Sequence, residues 1–237
     1  MPISVLTLTY QRHHLLEEAI ASFLLQKEFE GSEMVVINDS PDVKYTFDHP
    51  KVRIINLDKR FDSIGEKLEW GYKQCKNDYI YRLDDDDLLT EDALSIATLA
   101  IYPLIYNVDD DHKLYDIYRS QHFYYFSENQ YDGFTGSTNN GNIYSKDYLD
   151  RIIFPKKSFG EDIDITFGHN ASIYTINLPT MIYRWGMNTY HVSGMGNVSN
   201  EEMRNWTDSI IKKEEGEIIL QPHFKEDYYS KIKTPLK

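Results

Sequence analysis

The stretch Tyr79-Ile80-Tyr81-Arg82-Leu83-Asp84-Asp85-Asp86-Asp87-Leu88 decides the reading of this 237-residue chain. Its first half is apolar and aromatic, with the composition of a strand, and it ends on four consecutive carboxylates. Four adjacent like charges repel one another and need a cation, a helix N-terminus or full solvation. A divalent metal is the expected reason. Side chains at i and i+2 leave an extended chain on the same side, so Asp84 and Asp86 both reach one hard cation or its water shell. Metal-bound diphosphate chemistry is the expectation that follows.

Outward from this run, toward the N-terminus, strand and helix signals alternate. A strand at Ile3 to Thr9 leads to a helix at His14 to Gln26, where Leu15, Ala19, Ile20, Phe23 and Leu24 recur at helical spacing. The strand Met34 to Ile37 stops at the turn-forming Asn38-Asp39-Ser40-Pro41. Val52 to Ile55 is a further strand, and Ser63 with Glu66 matches a capping box opening a helix over Glu66 to Cys75. The alternation predicts a mostly parallel sheet with helices on its faces. Ligands of such sheets bind at the carboxyl ends of strands, where Thr9-Tyr10, Asn38-Asp39 and Asp84 to Asp87 would converge. From about residue 106 the pattern is irregular and aromatic, with a Gly/Asn/Thr-rich loop from Gly133 to Asn142. From about Asn200 it reads as one charged helix, Glu201 to Glu215, and an extended tail.

Composition bounds the function. With 41% hydrophobic residues the chain can bury a core, and a net charge of −13 disfavours general binding to nucleic acid or anionic membrane. Cys75 is the only cysteine, which excludes an internal disulfide and reads as a buried bystander in a reducing compartment. Neither a secretion signal nor an apolar run near the roughly 20 residues of a membrane span is found. A cytoplasmic protein is the expectation. Tyrosine is abundant at 19, and Tyr115, Tyr118, Tyr124, Tyr125 and Tyr131 cluster; sheet-to-loop packing accounts for them more simply than a sugar-stacking surface.

Four motifs in order carry a resemblance: Ile-Ser-Val-Leu-Thr-Leu-Thr-Tyr-Gln-Arg at residues 3–12, Val-Val-Ile-Asn-Asp-Ser, Leu-Asp-Asp-Asp-Asp-Leu-Leu, and Gly160-Glu161-Asp162. Over about residues 1 to 190 the chain resembles family-2-type GT-A glycosyltransferases. The resemblance implies an α/β GT-A fold: a Rossmann-like, mostly parallel central sheet flanked by helices in a single domain. Residues 1–105 would be the nucleotide-sugar half, 106–198 the acceptor-binding and catalytic half, and 199–237 the C-terminal helix and tail. It also implies an inverting, metal-dependent transfer of sugar from a nucleotide diphosphate, UDP above all, to a hydroxyl of a glycan or other acceptor. In that scheme Thr9 and Tyr10 wall the nucleotide pocket, Asp39 hydrogen-bonds the base, and Arg12, Lys67 and Asp85 join the donor-binding set. Asp84 and Asp86 match the Asp-x-Asp motif for Mn²⁺ or Mg²⁺, and Asp162 matches the catalytic base, with Glu161 supporting it. Glu69 replaces a common asparagine, and Ser40-Pro41 replaces the usual Gly-Ser.

Read from the residues alone, several positions keep a second meaning. Asp39 can cap its own turn. Asp85 and Asp87 are expected to face solvent or cap a helix near Thr90 rather than bind metal. Glu161 and Asp162 can be N-cap residues, and a catalytic base must come within about 2.6–3.2 Å of the acceptor hydroxyl. Asp109-Asp110-Asp111-His112 lacks a preceding strand and reads as a solvated loop. After the apolar Thr180-Met181-Ile182, Arg184 and Trp185 are candidates for the acceptor site and His191 for a third metal ligand. Gly194 and Gly196 would allow a flap. Two rivals remain: a nucleotidyltransferase, which lacks here a GxxxxGK[ST] phosphate loop, and a silent nucleotide-sugar-binding module.

Overall fold

The computed structural model describes residues 1–27, 30–102, 114–127, 130–135 (backbone only), 139–186 and 198–232. The first half runs β1 (Ser4–Thr9), α1 (His13–Leu24), β2 (Glu33–Asn38), β3 (Val43–Thr46), β4 (Val52–Asn56), α2 (Ile64–Tyr72) and β5 (Tyr79–Arg82). β6 (Leu88–Leu89), α3 (Ala93–Ile101), β7 (Ile117–Ser120), β8 (His122–Ser127), β9 (Gln130–Thr135) and β10 (Ile143–Ser145) follow. The chain then forms α4 (Lys146–Arg151), α5 (Glu161–Phe167), β11 (Ile173–Ile176), β12 (Met181–Trp185), α6 (Asn200–Ile210), β13 (Gly216–Ile219) and α7 (Tyr228–Lys231).

The central sheet has seven strands in the order β11-β7-β10-β5-β1-β2-β4. Strands β5, β1, β2 and β4 are mutually parallel, and β10 runs against both its neighbours. Period-two alternation sorts the two faces. Val5, Met34, Val36 and Tyr81 pack with Leu16, Ala19, Ile20 and Phe23 of α1. Leu6, Val35, Ile37 and Ile80 pack on the opposite side with Leu68 and Tyr72 of α2 and with Cys75. Each large side chain so buried contributes about 1.5–3 kcal/mol. Both faces are covered, which is why β1 and β2 are buried along nearly their whole length. At the start of α2, the Ser63 hydroxyl accepts the Glu66 N–H at 3.2 Å.

The second half, expected to be irregular, contains six strands among the described residues of 106–198, β7 to β12. A four-stranded sheet, β6-β12-β8-β9, stands beside the first, so the acidic run between β5 and β6 lies where the chain leaves one sheet for the other. Gly133, placed in a loop by composition, lies on β9 opposite Tyr124. Of the clustered tyrosines, Tyr118 is buried with its ring edge-on to Tyr79 and Tyr115. The segment read as helix and tail also differs. α6 ends at Ile210, and β13 pairs in parallel with β3, a strand the sequence reading did not identify. Glu214 anchors this return: its carboxylate accepts from Tyr45 Oη and lies 2.6 Å from His13 Nδ1. Among the described residues no helix is long and apolar enough to cross a membrane.

Candidate functional site

Four carboxylates are placed by one turn. β5 ends at Arg82, the Asp87 N–H closes onto the Asp84 carbonyl at 3.1 Å, and β6 begins at Leu88. The side chains therefore divide. Asp84 and Asp86 face a cavity, with side-chain exposures of 30% and 9%. Asp85 and Asp87 are fully buried, contrary to the expectation that they face solvent or cap the next helix. The Arg12 guanidinium grips both oxygens of Asp85, its Nε at 3.1 Å, and reaches Asp86 Oδ2 at 3.3 Å. Asp87 accepts from Asn140 Nδ2 at 2.7 Å and from the Arg184 N–H at 3.0 Å. Burial pushes the Asp85 carboxyl up to about 6, against the pull of Arg12. Burial, then Asp86 and Asp84, hold Asp87 well above the carboxylate range. Much of the repulsion that pointed to a metal is thus met by Arg12 and by Arg82, whose Nε lies 3.2 Å from Asp84.

The end of β1 and the end of β2 supply the next wall. Lys67, buried on α2, donates to the Thr9 carbonyl at 2.6 Å and to Asp39 Oδ1 at 2.5 Å, and Asp39 Oδ2 accepts the Phe61 N–H at 3.0 Å. Desolvation lowers the Lys67 pKa, with Asp39 opposing it. The Arg60 guanidinium stacks over the Tyr10 ring at 3.7 Å and pairs with Asp208 of α6 at 2.8 Å. The Tyr10 hydroxyl donates to the same carboxylate at 3.3 Å.

The third wall is the loop that opens α5. Gly160 takes a left-handed φ of +64° and starts the helix, which exposes Asp162 and buries Glu161. Glu161 Oε1 accepts from Arg82 Nη2 at 2.9 Å, and burial raises its pKa. Asp162 is half-buried, with Oδ1 accepting the Ile163 N–H at 2.9 Å. The loop is seated by Gly65, where any Cβ would come within 1.8 Å of the Pro155 carbonyl oxygen.

These walls enclose about 530 Å³, enough for a small polar ligand. Thr9, Tyr10, Arg12, Asp39, Lys67, Asp84, Asp85, Asp86, Glu161 and Asp162 all line the cavity. Two residues expected at the acceptor site do not line the cavity. Arg184, read as acceptor-binding, is 1% exposed and lies off the cavity; its Nε donates to the Asp86 carbonyl at 2.5 Å and its Nη1 to Glu18 Oε2 at 2.5 Å. Trp185 is not in the cavity wall either, and Tyr183 two residues earlier is. His191, the second acidic run and the two flap glycines lie outside the described residues. The sequence reading missed Arg82, Arg60, Asn140 and α6, which contributes Met203, Arg204 and Thr207. Only Arg82 was locally visible, two residues before Asp84 on the strand already identified.

As a metal site the donor set fits a hard divalent ion. Carboxylate oxygens of Asp84, Asp86 and Asp87 lie within 4.8 Å of one another, and oxygen ligands suit Mg²⁺ and Mn²⁺.

Residues 4–102 match Glycosyl transferase family 2. No curated protein matches the chain. Among solved structures, S. aureus TarS 1-349 in complex with UDP-GlcNAc aligns at 19% identity and a TM-score of 0.64, over 89% of this chain and 65% of that one. The same protein in complex with UDP aligns at 16% identity and 0.59, over the same shares, and TarS 1-349 alone at 17% and 0.58, over 78% and 60%. The chain thus spans 60–65% of the length of these TarS chains. The family match covers the strands that end at Thr9, Asp39 and the acidic run, and the structural likeness extends past it into the second half. By that match and that architecture, residues 4–102 are similar to Glycosyl transferase family 2, and the chain shares the GT-A fold of TarS.

Proposed function

We propose that the protein transfers a sugar from a UDP-sugar to an acceptor hydroxyl, with a divalent metal and with inversion at the anomeric carbon. The observation that carries this reading is that Asp84, Asp86 and Asp162 line one cavity together with the Thr9-Asp39-Lys67 cluster. Asp39, held by Lys67 and the Phe61 N–H, presents a fixed carboxylate to a ring N–H of the base. Tyr10 gives the ring a flat apolar surface. Asp84 and Asp86 would hold Mn²⁺ or Mg²⁺, with a carboxyl oxygen of the buried Asp87 within 4.8 Å of theirs. When bound, the ion neutralises charge developing on the departing diphosphate, a contribution of several kcal/mol.

Asp162 does the proton chemistry. It accepts the proton of the acceptor hydroxyl as that oxygen bonds to the anomeric carbon and the bond from that carbon to the diphosphate breaks. Attack from the face opposite the leaving group inverts configuration in one displacement. A positioned base of this kind accelerates transfer by roughly 10²- to 10⁴-fold. TarS, solved with UDP and with UDP-GlcNAc, supports the donor class.

The test is metal-dependent hydrolysis of UDP-sugars without acceptor, read as UDP release. Wild-type protein with Mn²⁺ should release UDP, and Asp86→Ala should abolish both release and metal-dependent UDP binding. Unchanged activity in Asp86→Ala removes the metal from the mechanism. Release of pyrophosphate from UTP and a sugar 1-phosphate, with no UDP released from UDP-sugars, would replace the transferase by a nucleotidyltransferase.

A further inference from the structure

Arg82 is held more rigidly than any donor-binding role alone would require. It closes β5, with its N–H donating to the Asn142 carbonyl at 3.0 Å and its own carbonyl accepting the Gly141 N–H at 2.9 Å. Its side chain is 8% exposed and lines the cavity. Nε donates to Asp84 at 3.2 Å and Nη2 to Glu161 at 2.9 Å. Nη1 is buried and has no partner among the described residues. A buried guanidinium N–H without an acceptor is costly, and such groups are rare in folded proteins.

The surroundings define what completes this one. Asp84 and Glu161 flank the guanidinium, and Asp162 adds to the same field. A phosphate would meet three carboxylates there, so an uncharged acceptor fits best. A hydroxyl fits doubly: its oxygen accepts from Nη1 and its proton goes to one of the flanking carboxylates. Position selects the hydroxyl's owner. The anomeric carbon must lie between the diphosphate at Asp84 and Asp86 and the attacking oxygen at Asp162, and Arg82 joins those two ends of the cavity.

We propose that Arg82 reads a hydroxyl of the transferred sugar, and that its pairing with Glu161 couples donor recognition to the loop carrying Asp162. The proposal rests on the reading of the cavity as a UDP-sugar site, and it names Arg82 as a determinant of which sugar is accepted.

Calorimetric titration with UDP, UDP-glucose and UDP-GlcNAc in the presence of Mn²⁺ tests it, followed by mono-deoxy analogues of whichever donor binds best. Arg82→Lys keeps the charge and loses the fork. It should weaken that donor by about 10- to 100-fold, the range of a hydrogen bond to a charged group, while UDP affinity moves by less than about twofold. One mono-deoxy donor should lose a similar factor in wild type and nothing further in Arg82→Lys, because the two changes remove the same bond. Equal weakening of UDP and UDP-sugar, or deoxygenations that Arg82→Lys does not level, overturns the proposal. Should Arg82→Lys fail to fold, the wild-type series decides alone: no analogue weakened by about tenfold overturns it. Wild-type protein that binds no UDP at all refutes the underlying site reading, and this inference with it, by a separate signature.

Discussion

Replacing Arg184 by Met tests whether this residue belongs to the fold or to the acceptor site. The side chain is 1% exposed and ties three parts of the chain together. Nε donates to the Asp86 carbonyl, Nη1 to Glu18 of α1, and Glu18 also accepts from the Tyr228 hydroxyl at 3.0 Å and the Lys225 N–H at 2.9 Å. Methionine fills much of the volume but leaves the Glu18 carboxylate buried without its cation. Breaking a buried pair from one side costs about 3–5 kcal/mol. The two remaining donors on Glu18 place the expectation at the low end, about 3 kcal/mol. For a chain of this size that lowers Tm by about 6–12 °C. Urea unfolding followed by tryptophan fluorescence measures it. In the double variant Glu18→Gln/Arg184→Met the two losses should fall short of additive by about 1 kcal/mol or more, since both act on one network. A variant within about 0.5 kcal/mol of wild type, with a raised KM for acceptor, would refute the buried-network account and restore the acceptor role.

Two further outcomes follow from buried groups. Burial pushes the Cys75 thiol up to about 12 from 9.0, so the native state keeps a proton that the unfolded chain releases. Stability from this group is complete below pH 9.0 and is lost as pH rises toward about 12, by at most about 4 kcal/mol; Cys75→Ala should flatten that limb in pH-dependent urea titrations, and the native thiol should resist thiol reagents at pH 8. Gly65→Ala should destabilise by about 1–3 kcal/mol or more and loosen the Asp162 loop, because a Cβ would meet the Pro155 carbonyl oxygen at 1.8 Å. Equal stability of Gly65→Ala and wild type in thermal melts would contradict the close approach.

Legibility of the sequence ended where local pattern ended. β1, α1, β2, β4, α2 and β5 follow from apolar periodicity and turn chemistry within a dozen residues, and their parallel order brings Thr9, Asp39 and the acidic run to one edge. β3 is four residues long and its partner β13 lies some 170 positions away, so nothing nearby announces it. The i and i+2 rule placed Asp84 and Asp86 together correctly, yet it says nothing about Asp85 and Asp87. Their burial depends on Arg12, on Asn140 and on the Arg184 backbone, each from a distant element. Arg184 misled for the same reason: a cation beside an aromatic residue at a strand end looks like a ligand contact until its carboxylate partner on α1 is seen.

The cavity is bounded below by strand ends from residues 4–102 and above by α6, stapled through Asp208 to Tyr10 and Arg60, and the chain just beyond it is held through Glu214 to His13. Floor and ceiling therefore belong to opposite ends of the polypeptide. Substitutions on the outer helix can reshape what the chamber admits without disturbing the acidic floor, so relatives sharing that floor are free to diverge in the molecules they accept. Swapping the segment from Asn200 onward between such relatives is accordingly the natural route to exchanging their selectivity.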